Sequence, residues 1–285
     1  MVARTETVGG VTVAVQDEGP PAPAHTVVLL HGNPDTHHVW RGVVDHLARR
    51  HPDWRFVLPD MPGFGDSPEP PEGFDYRAGV TVPLWDGLFQ TLDLQGPLTV
   101  AVHDFGGPWL LPWVSRNAAR VDGLVITNSP FSPGFRWHPW ARVWQTPVLG
   151  ELSNLLQNKW MARWEMRRGS KGLTVAHVDA AYDRATPALK RSMLRTYRSH
   201  ADFADVTRDE HPRLIDALQH IRAQVVWGAR DPYCPLSLAA EFQAEVRAIP
   251  DAGHWALVEA PEALAEAIAA VAAMATGHPP DEAPP

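Results

Sequence analysis

The stretch Leu98-Thr99-Val100-Ala101-Val102-His103-Asp104-Phe105-Gly106-Gly107 decides the predicted fold. Its first five residues are apolar or β-branched, as in a strand buried within a sheet. Residues 106–114 are typical of a helix, so Asp104 falls in a tight turn between strand and helix. Such a turn lifts one side chain over the edge of the sheet, and the helix N-terminus beside it stabilises a carboxylate.

Asp104 has two interpretations when it is taken alone. Aspartate is a common N-cap residue, so the turn fits a structural role as well as a nucleophilic one. Two later residues favour catalysis: Asp231 comes just after the apolar run 224–227, and His254 lies on a loop before the last helix. The order nucleophile, acid and histidine, each at an expected strand end, is typical of a catalytic triad.

A second loop is predicted to face the same site. His31-Gly32-Asn33-Pro34 follows the apolar strand 26–30. The backbone N–H groups of Asn33 and Phe105 are predicted to form an oxyanion hole, a pair of donors aimed at developing negative charge. Pro34 fixes the turn, and a cis peptide bond is one way of doing so.

Short apolar runs alternate with helix-like segments along most of the chain. This pattern predicts the α/β class, with a mostly parallel sheet flanked by helices. The interval 131–218 breaks the alternation and predicts an inserted helical cap, with helices over 143–157, 160–168, 178–182 and 187–198. The hydrolytic core is then predicted to comprise 1–130 and 219–276, and the proline-rich tail 277–285 is predicted to be disordered.

The composition limits the classes of molecule that the protein is expected to bind. The net charge is −8 and no lysine or arginine run is present, which argues against nucleic acid. A single cysteine, Cys234, predicts neither disulfides nor a metal cluster, and the glycine turn 60–67 lacks dinucleotide spacing, so no cofactor is expected. With neither a signal peptide nor a membrane segment recognisable, we expect a cytoplasmic protein that acts on a small apolar organic substrate and water, with a homodimer left open.

From Val8 to Ala275 the sequence resembles the α/β-hydrolase superfamily, and residues 31–34 and 103–107 are similar to epoxide hydrolases and haloalkane dehalogenases. In both groups an aspartate attacks carbon to form an ester, which a histidine-activated water then hydrolyses. The resemblance implies that Asp104 is the nucleophile, His254 the base and Asp231 the acid that orients it. Residues 127–129, where some dehalogenases carry their acid, offer no carboxylate, which supports Asp231.

Epoxide hydrolases protonate the leaving oxygen with two tyrosines of the cap. The segment 193–198 is similar to the one that carries the second tyrosine, which implies that Tyr197 is a donor. The first-tyrosine segment resembles 140–147, where Trp140 stands in place of the tyrosine and offers an indole N–H instead. Core packing is the alternative role for both aromatic residues. On this resemblance we expect an epoxide hydrolase that produces vicinal diols.

Haloalkane hydrolysis is the alternative function. Haloalkane dehalogenases hold the halide between the asparagine of the His-Gly-Asn-Pro loop and a tryptophan after the nucleophile. Asn33 is present, but Phe105 replaces the tryptophan and has no N–H donor, so halide would be held by Asn33 and Trp140. Trp109 is a candidate wall of the substrate pocket. A non-catalytic receptor is a third hypothesis, which the triad argues against because a receptor has no use for a water-activating histidine.

Overall fold

The computed structural model describes residues 2–94 and 96–276. Its eight strands are β1 Val2–Val8, β2 Val11–Glu18, β3 His25–Leu30, β4 Trp54–Pro59, β5 Leu98–His103, β6 Gly123–Thr127, β7 Arg222–Gly228 and β8 Glu245–Ile249. They form one sheet in the order β1-β2-β4-β3-β5-β6-β7-β8. Only the pairs β1–β2 and β2–β4 are antiparallel. The mostly parallel sheet confirms the predicted fold class.

Helices cover both faces of this sheet. Those of the core are α1 Arg41–Arg50, α2 Ala78–Thr91, α3 Gly106–Arg116, α11 Ala256–Glu259 and α12 Pro261–Thr276. Strands β3, β5 and β6 are buried along their whole length, so both of their faces are apolar. Alternate residues of β3 accordingly join two separate clusters: Val28 packs with α2 and α3, whereas Val27 packs with α1 and α12.

Seven helices lie between β6 and β7, where the sequence predicts a cap. They are α4 Pro139–Gln145, α5 Leu149–Leu156, α6 Lys159–Gly169, α7 Val175–Arg184, α8 Pro187–Ser199, α9 Phe203–Thr207 and α10 Glu210–Ala217. The helices predicted over 160–168 and 187–198 are present, and the one predicted over 178–182 is the middle of the longer α7. Helix α10 lies within the predicted cap but packs against α3 of the core, so it is in contact with both parts. The domain limits at 130 and 218 therefore stay a prediction.

Three segments differ from what the sequence predicts. The single helix predicted over 143–157 is broken into α4 and α5, because Pro147 disfavours helical geometry at Thr146, whose ψ is 119°. Strand β8 was not predicted, since its sequence Glu245-Val246-Arg247-Ala248-Ile249 is not a continuous apolar run and the strand lies at the edge of the sheet. The sequence after β7 also predicts a helix, over 236–244, and the structure has a 3₁₀ segment there, Leu236–Phe242.

Two further predictions concern the rest of the chain. The predicted disordered tail, 277–285, lies outside the described residues. Within 2–94 and 96–276, no helix combines the length and the hydropathy needed to cross a membrane.

Candidate active site

Asp104 stands at the turn between β5 and α3, over the carboxyl edge of the sheet. Its φ is +49°, in the left-handed region that aspartate tolerates better than most residues. The turn is tight because glycines surround it. A Cβ on Gly106 would lie 2.6 Å from the carbonyl oxygen of Leu30, and one on Gly32 would lie 2.4 Å from the Cβ of Asp104. Alanine at either position would push the loop away from the carboxylate.

The structure brings the three predicted triad residues together. The Nε2 atom of His254 lies 3.4 Å from Oδ2 of Asp104, and its Nδ1 atom lies 2.7 Å from Oδ2 of Asp231. All three side chains are buried. They converge because Asp104 follows β5 and Asp231 follows β7, two parallel strands with β6 between them, and the carboxyl ends of these strands share one edge of the sheet.

The two carboxylates set the charge of the site. Burial lowers the pKa of His254, but the charge of Asp231 and hydrogen bonds to both carboxylates raise it to about 10. Burial raises the pKa of Asp104, yet its hydrogen bond to His254 and the charge of that ring lower it overall. At neutral pH the resting site therefore holds an ionised Asp104 beside a protonated His254.

The loop after β3 contacts the nucleophile directly. The backbone N–H of Asn33 donates a 2.8 Å hydrogen bond to Oδ1 of Asp104, and the Asn33–Pro34 bond is cis. This leaves Oδ2 as the oxygen that faces His254. Phe105, whose N–H is the second predicted oxyanion donor, is the N-cap residue of α3.

A residue that sequence analysis passed over orients Asp231. The side-chain amide of Asn128 donates a 2.8 Å hydrogen bond to Oδ2 of Asp231, while its oxygen accepts one from the N–H of Gly228. The other oxygen, Oδ1 of Asp231, accepts from the N–H groups of Tyr233 and Cys234. Asn128 directly follows β6, so its place at a strand end is the signal in the sequence, although an amide is a less conspicuous partner for a histidine or an acid than a carboxylate.

A cavity of about 100 Å³ opens above Asp104. Aromatic side chains form about a third of its wall, among them Phe105, Trp137, Trp144, Tyr197, Tyr233 and Trp255. Phe105 supports this wall, because its ring stacks on Trp137 and makes an edge contact with Tyr197. An enclosure of this kind favours an apolar substrate and excludes bulk water.

Tyr197 differs from the other three tyrosines in its hydroxyl group. The hydroxyl groups of Tyr76, Tyr182 and Tyr233 donate hydrogen bonds to Pro62, Gln157 and Glu165 respectively. Within the described part of the chain, the hydroxyl of Tyr197 has no such acceptor, although the side chain lines the cavity. Burial and the charge of Asp104 raise its pKa well above the ordinary value, so this phenol stays protonated.

Comparison with known proteins fits this geometry. Residues 25–261 match a family model described as the alpha/beta hydrolase fold. The chain belongs to the α/β-hydrolase family. It is 33% identical to a cis-3-alkyl-4-alkyloxetan-2-one decarboxylase of Xanthomonas campestris, over 92% of each chain. A haloalkane dehalogenase of Mesorhizobium japonicum is 32% identical over 66% of this chain and 64% of its own.

A solved structure extends the comparison. The Cif epoxide hydrolase of Acinetobacter nosocomialis superimposes with a TM-score of 0.79 at 19% identity, over 95% of this chain and 88% of that one. At this identity the likeness concerns the fold alone. The matches together confirm the predicted resemblance to epoxide hydrolases and haloalkane dehalogenases, and they show an enzyme fold.

Two residues predicted for this α/β hydrolase's substrate pocket do not line the cavity above Asp104. Trp140 is absent from the cavity wall, because its ring stacks on Trp144, and Trp144 in turn contacts Tyr197. Trp144, one helical turn further along, is the indole of that segment that lines the cavity. Trp109 is fully buried beneath Phe105 and packs in the core against Phe64.

The site of this α/β hydrolase fits a metal ion poorly. Asp104, Cys234 and His254 offer ligand atoms within 4.8 Å of one another. Burial raises the pKa of the Cys234 thiol well above its usual range, which disfavours the thiolate that a metal would need. His254 is also engaged by both carboxylates. The residues present therefore favour acid–base chemistry.

Proposed function

We propose that the protein is an epoxide hydrolase that uses Asp104 as a covalent nucleophile and releases a vicinal diol. The observation that carries this proposal is the Tyr197 hydroxyl, which lines the same cavity as Asp104 and lacks an acceptor among the described residues. Opening an epoxide places negative charge on the ring oxygen, so the reaction benefits from a proton donor opposite the nucleophile.

In the first step, Oδ2 of Asp104 attacks an epoxide carbon. A carbon–oxygen ester bond forms, the ring carbon–oxygen bond breaks, and the ring oxygen takes its electron pair and the proton of Tyr197. Asp104 suits this role because the N–H of Asn33 holds its other oxygen, Oδ1, which fixes the plane of the carboxylate. Trp144 lies beside Tyr197 and supplies a second N–H donor in the cavity wall.

In the second step, water hydrolyses the ester. Alkylation removes the charge of Asp104, which is one cause of the raised pKa of His254, so the pKa of the histidine falls at the stage where it must act as a base. Before hydrolysis the proton of His254 passes to the Tyr197 phenolate, and neutral His254 then takes a proton from water. The hydroxide attacks Cγ of Asp104, the bond between Cγ and the alkylated Oδ2 breaks, and the departing diol oxygen takes the proton from His254. The proton of the new Asp104 carboxylic acid returns to the histidine, which restores the resting site. The carbonyl oxygen Oδ1 is already within reach of the Asn33 N–H, the first member of the proposed oxyanion hole.

Halide release is supported less well by the cavity. The proposed pair was Asn33 and Trp140, and Trp140 does not line the cavity. The indole N–H groups of Trp137 and Trp255 are already donated to the His200 carbonyl and to Asp35. The side-chain amide of Asn33, which is buried without a partner in the described part of the chain, and the indole of Trp144 remain as halide donors.

Decarboxylation of an oxetan-2-one is a second candidate, favoured by the decarboxylase relative that matches 92% of this chain. Attack by Asp104 on the ring carbon bonded to oxygen would release a carboxylate, which needs no proton from Tyr197. Loss of carbon dioxide would then form the double bond of an alkene and expel Asp104. This sequence consumes no water, which distinguishes it from both hydrolyses.

Product analysis tests the proposed function. Terminal epoxides, 1-haloalkanes and dialkyl oxetan-2-ones are incubated separately with the enzyme. We expect diol from the epoxide as the fastest reaction. Faster formation of halide and alcohol, or of alkene and carbon dioxide, would replace the proposal by the corresponding alternative.

Replacing Tyr197 by phenylalanine should slow ester formation by about 10²-fold or more, because the departing oxygen loses its acid. Hydrolysis of the ester should change much less, since Tyr197 takes no part in it. Stopped-flow kinetics with enzyme in excess separates the two rates. Tyr182→Phe, which removes another phenol of the cavity wall, is the matched control and should leave both rates near those of the wild type. An equal effect of Tyr197→Phe on both steps would contradict the donor role.

A further inference from the structure

The cap carries an unusual concentration of exposed apolar side chains. Nine large hydrophobic residues are exposed in the described part of the chain, and seven of them lie between residues 148 and 164. Contiguous patches of this kind mark ligand grooves or contact surfaces. Five of the seven line one groove: Leu149, Leu152, Leu156, Trp160 and Trp164.

Helical spacing explains why these side chains converge. Leu149, Leu152 and Leu156 are three and four residues apart, so they share one face of α5. Trp160 and Trp164 are four residues apart and share a face of α6. Together with α4, these faces enclose about 560 Å³, compared with about 100 Å³ above Asp104. The larger apolar space thus lies outside the catalytic cavity.

The groove adjoins the catalytic cavity. Trp144, Gln157 and Glu165 belong to the walls of both. Glu165 is fixed at this junction, because its Oε1 accepts a 2.8 Å hydrogen bond from Tyr233 and pairs with Arg168 at 3.1 Å. These three side chains therefore lie between Asp104 on one side and the leucines of α5 on the other.

We propose that this groove binds the unbranched hydrocarbon chain of the substrate whose reactive ring lies at Asp104. The placement of the reactive ring at Asp104 rests on the proposed function, whereas the apolar groove is defined by its lining residues alone. An alkyl chain is the occupant that fits, because leucine and tryptophan dominate the walls and the charged group, Glu165, lies at the junction rather than along the groove. The groove is also concave, unlike a flat docking face, and it shares three wall residues with the substrate cavity. The enzyme therefore prefers long-chain substrates.

Equilibrium binding of n-alkanols to the full-length protein tests this proposal without any reaction. By calorimetry from 1-butanol to 1-octanol, affinity should rise about threefold to fourfold for each methylene that leaves water for the groove. Leu152→Glu should weaken 1-octanol binding at least tenfold and leave 1-butanol binding unchanged. Leu155→Glu is the matched control: Leu155 is on the same helix and is 81% exposed, but it does not line the groove.

The results separate the groove from the reaction. Chain-length-dependent affinity that Leu152→Glu abolishes and Leu155→Glu preserves supports the groove, even for an enzyme that leaves epoxides intact. Affinity independent of chain length, or equal losses in the two variants, overturns the proposal and indicates a non-specific apolar face. If Leu152→Glu fails to fold, Leu156→Glu on the same groove face replaces it, with the same expectations.

Discussion

Replacing Asp104 by alanine should abolish turnover, with kcat/KM reduced by about 10⁴-fold or more. The reason is chemical, because Asp104 is the carboxylate of the triad whose Oδ2 faces the cavity beside His254. Asp231 lies behind His254, and both of its oxygens are occupied by hydrogen bonds. The rate is measured with the substrate that gives the fastest wild-type reaction. Alanine is preferred to asparagine, which can deamidate to restore the carboxylate.

The control for this variant is Asp251→Ala. Asp251 is also a carboxylate, three residues before His254, but its side chain is exposed and pairs only with Arg230 at the surface. We expect wild-type kinetics from it. If Asp104→Ala folds like the wild type and keeps more than a few per cent of the activity, the role of Asp104 is structural and the covalent mechanism is wrong.

Replacing His254 by glutamine should stop the reaction at the ester. Attack by Asp104 needs no base, whereas hydrolysis needs His254 to take a proton from water, so the second step should slow by about 10²- to 10⁴-fold. The variant should consume about one equivalent of epoxide and then stall. Mass spectrometry of the quenched protein should show the enzyme plus one substrate mass, located on the peptide that contains Asp104.

His220→Gln is the control here, since His220 is exposed on the loop before β7 and lies outside the cavity wall. It should turn over normally and accumulate no ester. Steady alkene formation by His254→Gln from an oxetan-2-one would favour the decarboxylase, because that route uses no water. Failure of the variant to form any adduct, with a substrate that the wild type consumes, would contradict an ester intermediate.

The sequence predicted the central part of the fold because buried parallel strands leave a strong signal. When a turn and a helix follow it, a run such as 98–102 is best interpreted as a buried strand of a parallel sheet. Strand β8 left no such signal, since Glu245 and Arg247 alternate with apolar residues at the sheet edge. The break between α4 and α5 was present in the sequence as Pro147, but the apolar period on both sides of it suggested one helix.

The candidate site was predictable where chemistry restricts the residue type. Asp104, Asp231 and His254 each stand at a strand end or a loop, and the structure brings them together. The residues on the leaving-group side of the cavity were harder to predict. Trp140 and Trp144 are one helical turn apart, and only the packing against Tyr197 shows which of them lines the cavity. Asn128 was missed for a related reason: an amide that orients a carboxylate has no motif of its own.

The most direct test of the covalent mechanism is a single turnover in H₂¹⁸O, with enzyme in excess over epoxide, followed by mass analysis of the diol and of the peptide that contains Asp104. If Asp104 forms the ester and water attacks its carbonyl carbon, the ¹⁸O enters the Asp104 carboxylate, and the first diol carries only oxygen from the ring and from the enzyme. Label in the diol, with Asp104 unlabelled, would show that water attacks the epoxide directly and would contradict the nucleophilic role of Asp104.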